Sequence, residues 1–421
     1  MATIRNVGMG MASSSTSSSS NGGGAAKAKA DLIYRMDDFP DNVNGASIMA
    51  REDGIITISE DRTVRIWQKR DNGKFWPSIC QYMPHPATAF AFNQETRKLF
   101  VGTESGSITE FIISNDSNRL TQLKDYSGHN KRITALHFAL ECEWLLSCSR
   151  DKTFRWFCSE SGRLLGSFTL SAWITALQFD FPSKCAFVGD FSGAISVLRL
   201  SESGHQLVTT IRGHASSIRS LAWDSKRQQL FSGGFDSTVV VWDIGGKEGI
   251  AYELQAHTGK VTSLHYAAST QQLFSAGEDG IVAIWNMDIK RNETPSWVES
   301  DNCQQCNKPF FWNFRMMFDT KTLGQRQHHC RNCGKAVCEA CSPNRLTIPL
   351  MGFETAVRVC SICYALLKDK DRPSHAVLIN VLHAVMSMDL DEMKKRMVTV
   401  GQDRVVKVWD VRELFSLKSE Q

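Results

Sequence analysis

The sequence lacks the features that mark several large classes of protein. No stretch reaches the roughly 18 consecutive apolar residues that a membrane-spanning helix needs, which excludes a transmembrane protein. Lys and Arg number 48 against 44 Asp and Glu, so the net charge of +4 is too even for a nucleic-acid coat or a wholly basic membrane-binding surface. There is no Gly-rich phosphate-binding pattern and no nucleophile-and-base arrangement, so we expect a protein that is not an enzyme.

The first 30 residues have almost no large apolar side chain. Residues 1–30 are mostly Ser, Gly and Ala, which cannot offset the entropy of ordering by burial, and we predict a disordered tail. A secretory signal would need an apolar core of about 7 to 15 residues, and none is present here. The expected compartment is therefore the reducing cytosol, where clustered cysteine pairs indicate a metal more often than disulfides.

The cysteines are concentrated in one part of the chain. Eight of the 13 lie between Cys303 and Cys363. They form four Cys-x-x-Cys pairs, Cys303 and Cys306, Cys330 and Cys333, Cys338 and Cys341, Cys360 and Cys363. Eight thiolates make two closed tetrahedral Zn²⁺ sites, so the metal is expected to be structural and to contribute to folding. The alternatives are disulfides or buried free thiols.

A short pattern recurs at a spacing typical of propeller blades. It consists of Asp, alternating β-branched residues and a final aromatic or apolar residue, and the intervals between copies are 41 to 46 residues until a last interval of 124. The copies end at Trp67, Phe111, Phe157, Leu198, Trp242, Trp285 and Trp409. The pattern predicts seven blades, with about 80 extra residues before the last one.

Three of these units carry a His exactly 22 residues before the Asp, with Ser or Thr four residues before the Asp. The pairs are His129 and Asp151, His214 and Asp236, His257 and Asp279. The motif resembles the WD-repeat family, in which His, Asp, Ser or Thr and Trp form a hydrogen-bonded network, here including Trp242 and Trp285. Acid-base catalysis is the alternative reading, but a catalytic pair would not recur in successive blades. The fourth unit has neither His nor Asp aligned, and we expect it to be the least regular.

The alignment of units predicts the order of domains. Leu32–Met36 is expected to supply the outer strand of the last blade, and Ser374–Ile379 the outer strand of blade six. The predicted domains are a tail at 1–30, propeller blades one to six at 31–292, a zinc module inserted in blade six at 293–370, and the remainder of blade six with the closing blade at 371–421.

The stretch GQRQHHCRNCG at 324–334, together with Trp297 and the sequence Arg358-Val359-Cys360, resembles the FYVE zinc fingers. The fold class expected from both resemblances is an all-β, seven-bladed WD-repeat propeller with an inserted two-zinc FYVE-type domain. FYVE modules are cross-braced, which implies the following ligand sets. One zinc ion takes Cys303, Cys306, Cys338 and Cys341, and the other takes Cys330, Cys333, Cys360 and Cys363.

The same resemblance implies a site for phosphatidylinositol 3-phosphate. The expected contacts are Arg326, His328, His329, Arg331 and Arg358, and Arg suits phosphate because it donates in a bidentate way. Two positions depart from the FYVE pattern. Gln327 stands where a second basic residue is usual, and the acidic residue after Trp297 is displaced, so Asp301 or Glu299 is expected to contribute to headgroup selectivity.

The loop before the basic signature is expected to enter the bilayer, and Leu323 is its only large apolar residue. Burial of one Leu is worth about 1.5 to 3 kcal/mol, and nearby basic residues add about 1 kcal/mol each. The total of about 5 kcal/mol corresponds to a dissociation constant of roughly 0.1 to 1 mM. Specific headgroup bonds or a second attachment must therefore supply the rest.

Together these features resemble the small WD-repeat and FYVE-domain-containing proteins. The resemblance implies a scaffold in the cytosol and on early endosomes, with protein partners on the propeller and no nucleic acid partner. The alternatives are a ubiquitin ligase with a RING-like cross-brace and a propeller substrate receptor, and a zinc module that binds nucleic acid. A RING module usually includes a His among its zinc ligands, whereas this cluster contains only Cys. The sequence also shows no strongly basic domain of the kind that binds nucleic acid.

Overall fold

The computed structural model describes residues 29–246, 249–370 and 372–416. The predicted tail at 1–30 lies outside the described residues as far as residue 28. The described chain forms seven four-stranded antiparallel sheets arranged as a propeller, which confirms the predicted fold class.

Most strands follow in simple succession within their blade. The first strand is β1 (Asp31–Met36). Blade one consists of β2 (Val43–Met49), β3 (Gly54–Ser59), β4 (Thr63–Lys69) and β5 (Phe75–Tyr82). Blade two consists of β6 (Ala87–Phe92), β7 (Lys98–Thr103), β8 (Ile108–Ile113) and β9 (Leu120–Tyr126). Blade three consists of β10 (Ile133–Ala139), β11 (Trp144–Ser149), β12 (Thr153–Cys158) and β13 (Leu164–Thr169).

The second half contains the interrupted blade. Blade four consists of β14 (Ile174–Asp180), β15 (Cys185–Asp190), β16 (Ala194–Ser201) and β17 (Gly204–Arg212). Blade five consists of β18 (Ile218–Asp224), β19 (Gln229–Gly234), β20 (Val239–Asp243) and β21 (Gly249–Leu254). Blade six begins with β22 (Val261–Ala267), β23 (Gln272–Gly277) and β24 (Ile281–Asn286).

The zinc module follows β24 in the chain. It contains α1 (Phe314–Thr320), β25 (His328–His329), β26 (Ala336–Val337), β27 (Asn344–Ile348), β28 (Phe353–Val359) and α2 (Ser361–Leu367). The chain then returns as β29 (Ala376–Asn380), which pairs with β24 as the outer strand of blade six. Blade seven consists of β30 (Val385–Asp391), β31 (Arg396–Gly401) and β32 (Val406–Asp410), followed by α3 (Arg412–Ser416).

Two kinds of buried interaction hold the blades. Apolar side chains of adjacent blades share clusters, as where Phe231 and Val241 of blade five pack with Trp285 of blade six. Within blades, the indole N–H of a Trp donates to a hydroxyl on the neighbouring strand. These bonds run from Trp67 to Thr57, Trp242 to Ser232, Trp285 to Ser275 and Trp409 to Thr399, at 2.7 to 2.9 Å. Such fully buried polar groups need a partner, so each bond stabilises its strand register.

The recurring histidines join the turns of their blades to the strands. His129 lies 2.9 Å from Asp151 and 2.8 Å from the Ser147 hydroxyl. His214 contacts Asp236 and Ser232, and His257 contacts Asp279 and Ser275, in the same arrangement. Burial opposes ionisation of Asp236, but the hydrogen bond and charge of His214 together with the donors of Thr238 and Ala215 outweigh it, and they lower the pKa of Asp236 to about 2. The arrangement is that of a repeated structural element.

Blade four is regular, so the expectation of irregularity was wrong. β16 and β17 stay paired from Ala194 and Arg212 to Ser201 and Gly204. Asp190 supports the turn in place of the missing network, because its carboxylate accepts hydrogen bonds from the backbone N–H groups of Ser192 and Ala194. An Asp at a different position therefore accepts the backbone hydrogen bonds of this turn, as the usual Asp does in the other blades.

The first strand closes the ring. β1 pairs with β32 from Asp31 and Asp410 to Met36 and Val406, so the two ends of the propeller share blade seven. This blade also has a histidine network that the sequence pattern missed. His383 lies 2.8 Å from the Thr399 hydroxyl and 3.3 Å from Asp403. It is only 16 residues before Thr399, where the other blades have 18, because the turn before β30 is shorter.

The zinc module rests on the outer edge of blade five. The Gln255 N–H donates to the Gly352 carbonyl at 2.8 Å, and the Glu354 N–H donates to the Gln255 carbonyl at 3.0 Å. Gly352 has φ +83, and a Cβ at this position would lie 2.1 Å from the Glu253 carbonyl oxygen. The module is therefore held by its two chain connections and by a third contact through backbone hydrogen bonds.

We expect His383 to make the closing blade sensitive to acid. Burial lowers the pKa of His383 to about 4, so the folded state favours the neutral ring. Its contribution to stability is present above the unfolded-state pKa of about 6.5 and is lost as the pH falls toward 4, a cost of up to about 3 kcal/mol. In thermal unfolding at pH 7 and pH 4.5, His383→Gln should lower the midpoint at pH 7 but show a smaller further drop at pH 4.5. The exposed His85→Gln is the control, and equal acid sensitivity of wild type and His383→Gln would contradict the assignment.

Gly352→Ala should loosen the module from blade five. The positive φ and the close Glu253 carbonyl both disfavour a Cβ, so the thermal midpoint should fall by about 4 °C or more. Limited proteolysis should also cleave the connection at 287–295 faster. Gly204→Ala is the matched control, because no atom lies within 4 Å of its added Cβ. Unchanged cleavage in Gly352→Ala would show that the contact does not hold the module.

Candidate functional site: the zinc module and its basic cavity

The eight clustered cysteines meet as two groups of four. The sulfur atoms of Cys303, Cys306, Cys338 and Cys341 lie within 4.8 Å of one another, and so do those of Cys330, Cys333, Cys360 and Cys363. These are the two sets that the cross-braced arrangement implies. Four cysteine sulfurs at this spacing fit a tetrahedral Zn²⁺ ion with no open position, so each group could bind one structural zinc ion.

The surroundings of the sulfurs favour bound metal over free thiols. Burial alone would raise the pKa of Cys303, but backbone N–H donors, including that of Cys338 at 3.3 Å, lower it to about 7. The Cys360 N–H donates to Cys330 at 3.2 Å in the second group. Burial raises the pKa of Cys341 and Cys363. A cation is therefore needed to hold four thiolates together in each group.

A cavity of about 540 Å³ opens beside the second cysteine group. Its lining includes Trp297, Gln327, His328, His329, Arg331, Arg345, Arg358 and the propeller residue Gln255. Four of the five predicted basic contacts therefore lie in one cavity. The fifth, Arg326, is exposed and next to Gln327 but is not among the lining residues.

Arg345 is a cavity residue that the sequence pattern missed. β27 and β28 pair in antiparallel fashion, with Arg345 directly opposite Arg358. The pairing brings a third guanidinium to the cavity from outside the basic signature. Polar and apolar residues alternate in the two segments NRLTI and FETAVRV. This alternation predicts a β-hairpin, which would have placed Arg345 near Arg358.

Glu339 holds two of the basic groups in place. Its carboxylate lies 2.9 Å from Arg358 and 3.0 Å from His328. Arg358 also donates to the Ser342 carbonyl at 2.8 Å. Burial and the charges of Arg358, Arg326 and Arg345 lower the pKa of His328, whereas Glu339 raises it. An anion that enters the cavity would compete with Glu339 for the same donors.

Trp297 organises the other side of the cavity. Its ring stacks on His329, with centroids 4.8 Å apart and planes 11° apart, and the Arg331 guanidinium lies 4.6 Å from the Trp297 centroid. The Arg331 N–H donates to the Arg358 carbonyl at 3.0 Å, which joins the signature to β28. Among the residues that the structure describes, neither His329 nor Arg331 has a carboxylate within ion-pair distance, so Trp297 and the backbone orient them.

The acidic candidates lie elsewhere. The Asp301 carboxylate accepts a hydrogen bond from the Trp312 indole at 3.0 Å, and Asp301 is not among the cavity-lining residues. Glu299 is exposed and is also outside the lining. Their expected role in headgroup selectivity stays a prediction.

The loop before the signature presents more apolar surface than Leu323 alone. Leu323 is 83% exposed, and Phe318 and Phe314 of α1 are 86% and 73% exposed. The two Phe are one helical turn apart and share a face of α1. Asn313 caps the helix by accepting from the Met316 N–H, and a bridge between Phe310 and Gln325 closes the loop at its base. We call Phe314, Phe318 and Leu323 the apolar ridge.

No helix in the described part of the chain is long and apolar enough to cross a membrane.

Comparison with known proteins agrees with this architecture. The family model described as FYVE zinc finger matches residues 296–369, and the model described as WD domain, G-beta repeat matches 120–157, 205–243 and 250–286. The propeller resembles the crystal structure of the WD40 β-propeller domain of Doa1, with a TM-score of 0.59 over 92% of this chain and 99% of that chain. The two sequences are 14% identical, so this likeness concerns the fold alone.

Curated relatives cover nearly the whole chain. Human WD repeat and FYVE domain-containing protein 2 is 51% identical over 92% of this chain and 97% of its own length. Bovine WD repeat and FYVE domain-containing protein 1 is 51% identical over 90% of this chain and 93% of its own length. The Caenorhabditis elegans WD repeat and FYVE domain-containing protein 2 is 42% identical over 93% and 95%. The chain therefore belongs to the family of WD repeat and FYVE domain-containing proteins.

Proposed function

We propose that the protein is a non-enzymatic adaptor of early endosomes. The zinc module binds phosphatidylinositol 3-phosphate in the membrane, and the propeller holds protein partners. The protein exchanges between the cytosol and the endosomal surface as a peripheral membrane protein. Membership of the family and the FYVE match support this proposal, and the basic cavity beside the second zinc group is the observation that carries it.

The cavity has the chemistry of a phosphate site. Arg331, Arg345 and Arg358 present planar donors that match phosphate oxygens, and His328 and His329 add ring nitrogens. All eight cysteine sulfurs belong to the metal groups, so neither His is needed as a ligand. Gln327 also faces the cavity, and its buried amide nitrogen has no partner among the described residues. A headgroup hydroxyl or phosphate oxygen would satisfy that donor.

Arg345 offsets the charge that Gln327 omits. The usual second basic residue of the signature is absent, but the third guanidinium on β27 returns a positive charge to the same cavity. Arg326 lies outside the lining and is exposed, so its role is the attraction of the anionic membrane surface around the headgroup. The four arginines therefore divide between headgroup contact and surface attraction.

The apolar ridge supplies the membrane attachment that Leu323 alone could not. Two Phe side chains add about 3 to 6 kcal/mol if they are buried in the bilayer. The earlier total of about 5 kcal/mol becomes about 8 to 11 kcal/mol, which corresponds to a dissociation constant near or below 1 µM. Arg315 and Lys321 are exposed in the same loop and suit an anionic surface. Membrane contact and headgroup contact then reinforce each other.

We expect Arg358→Ala and Arg345→Ala each to weaken binding to liposomes that contain phosphatidylinositol 3-phosphate by at least about tenfold, because each loses a charged hydrogen bond worth about 1.5 to 3 kcal/mol. Sedimentation with liposomes measures the change. Arg326→Ala should weaken binding to all anionic liposomes. The double variant Arg326→Ala and Arg358→Ala should leave endosomes in cells. Arg163→Ala, exposed on the propeller, is the control.

The zinc content and thermal midpoint of each variant separate lost binding from lost folding. A double variant that keeps its preference for the 3-phosphate over the 4- and 5-phosphates, or that is recruited normally to endosomes, would contradict the proposal.

Replacement of Phe314 and Phe318 by Ser should lower liposome affinity by tenfold or more while leaving the affinity for soluble inositol 1,3-bisphosphate unchanged. The reason is that the ridge contacts acyl chains and the cavity contacts the headgroup. Leu207→Ser, at an exposed apolar site on blade four, is the matched control. Equal liposome binding by the Phe variant and the wild type would remove the ridge from the membrane contact.

A further inference from the structure

The innermost strands of the seven blades place one residue each at the same point around the central channel. Each strand has a register shift here, for example between Ile218 and Ser220 and between Val261 and Ser263. The seven residues are Asn44, Thr88, Thr134, Thr175, Arg219, Thr262 and Met386, and all line one cavity of about 350 Å³. Of the described residues that line this cavity, Arg219 alone carries a formal charge.

Most of the polar side chains of this ring donate a hydrogen bond to a backbone carbonyl of the next blade. Thr88 donates to the Ile133 carbonyl at 2.7 Å, and Thr262 donates to the Val385 carbonyl at 2.6 Å. Asn44 and Thr175 make the corresponding bonds to the blades that follow them. In these blades the position links one blade to the next, and a neutral side chain is enough to make that hydrogen bond. An Arg in blade five is not needed for that role.

The Arg219 guanidinium has no hydrogen bond or ion pair to any residue that the structure describes. Burial lowers its pKa, and the charges of Arg132 and Arg150 lower it further, whereas Glu278 raises it. An Arg remains protonated under such conditions. A partly buried charge with other cations nearby is unfavourable unless an anion joins it.

The nearby acids are already paired. Arg132 lies 2.9 Å from Glu60 and 2.6 Å from Glu104. Glu278 accepts from Lys260 at 3.2 Å. Among the described residues, Arg150 has no acidic partner within ion-pair distance. The channel mouth thus contains two guanidinium groups, Arg219 and Arg150, that no carboxylate of the described chain neutralises.

Exposed aromatic rings lie beside Arg150, whose charge also acts on Arg219. Trp173 is 43% exposed and Phe191 is 54% exposed, and their ring centroids are 5.6 Å apart. The Arg150 guanidinium lies 5.7 Å from the Trp173 centroid. The Phe191 N–H donates to the Trp173 carbonyl at 2.8 Å, and in blade three the Arg150 N–H makes the equivalent bond to the Arg132 carbonyl at 2.9 Å. Arg150 and Phe191 both lie on the turn between the second and third strands of their blades, so they are at the same end. The result is an apolar surface next to a cationic recess.

We propose that this channel mouth binds a peptide segment of a partner protein that carries an acidic side chain next to an apolar one. The acidic group enters the recess and accepts from Arg219, with Arg150 at its rim, and the apolar neighbour packs on Trp173 and Phe191. A carboxylate or a phosphate would serve, because both accept the paired N–H donors of a guanidinium. This proposal rests on the adaptor role proposed above, and it specifies the chemistry of the protein partner.

A peptide suits the recess better than a free small anion. One guanidinium in the cavity offers a small anion few bonds, whereas the aromatic pair outside offers apolar burial that only a larger ligand can use. The ligand must reach into the channel to bring its acid to Arg219. An extended segment or a loop tip can do so while its neighbouring side chain stays on the aromatic pair.

The test uses the full chain and a displayed library of random 12-residue peptides. Peptides selected on the wild type should be enriched in Asp or Glu next to an apolar residue, and they should bind Arg219→Met at least tenfold more weakly. Synthetic versions of the best peptide with Glu, Gln or phosphoserine at the acidic position separate carboxylate from phosphate. Gln should bind least. Trp173→Ala should weaken all three versions alike.

Arg163→Met is the matched control, because Arg163 is exposed on the turn between the third and fourth strands of blade three, at the opposite end of the blades. Arg219→Met should keep or raise the thermal midpoint, since it removes an unpaired charge, whereas a structural Arg would lower it. Selected peptides without acidic enrichment, or with equal affinity for Arg219→Met, would overturn the proposal. Liposome binding by Arg219→Met should be unchanged, which separates this site from the lipid site.

Discussion

The pairing of β24 with β29 is the interaction on which both parts of the molecule depend. This strand pair completes blade six, and the chain between its two strands is the zinc module. Val282 and Ile284 of β24 and Ile379 of β29 also share a buried cluster with Val385 and Trp409 of blade seven. Loss of the pair would therefore expose the core next to the closing blade and free one end of the module. A blade can accept an insertion of this size when the strands on either side of it still pair. Without that pairing, the backbone groups at the outer edge would lack hydrogen-bond partners.

Docking on blade five then limits how the module can turn. The backbone bonds from Gln255 to Gly352 and from Glu354 to Gln255 continue the edge of the propeller into the module. Gln255 also lines the basic cavity, so part of the cavity wall belongs to the propeller. A cavity built from two domains has its shape only when they are docked. The propeller is consequently more than a carrier for the zinc module, and the orientation of its rim relative to the cavity follows from the same contact.

Repetition and spacing made much of this architecture predictable, whereas contacts between distant segments did not. Blade spacing, the Trp and His positions and the return of β29 follow from periodic residues, because each blade solves the same packing problem. The two metal-binding groups were equally predictable from the eight cysteines, because the geometry of the metal dictates the Cys-x-x-Cys spacing. Arg345 was missed because only the pairing of β27 with β28 brings it opposite Arg358. His383 was missed because a turn two residues shorter moved it out of the aligned register.

The apolar ridge shows a further limit. Its Phe residues were visible in the sequence, but an exposed Phe and a core Phe look alike until the helix is placed. Phe310, three residues before the Asn313 cap, is fully buried, while Phe314 and Phe318 face solvent. Exposure of large apolar groups in a small module is unfavourable in water unless another surface covers them.

The distribution of charge connects the two proposed sites. Several basic side chains of the propeller have acidic partners, and some of these pairs link blades, as where Asp53 of blade one contacts Lys394 and Arg396 of blade seven. A stable ring favours such pairing because an unpaired buried charge is costly. Arg219 in the channel and Arg331 in the cavity are partly buried, and no carboxylate of the described chain lies within ion-pair distance of either. Arg345 also has no such partner, but it is exposed. In both proposed sites, the anion that pairs with these arginines comes from another molecule. The small net charge of +4 therefore says little about the local charge at the two proposed sites, where arginines lie close together. A protein with this arrangement can hold a phosphate-bearing membrane and an acidic partner at once, because the two anions do not compete for the same arginines.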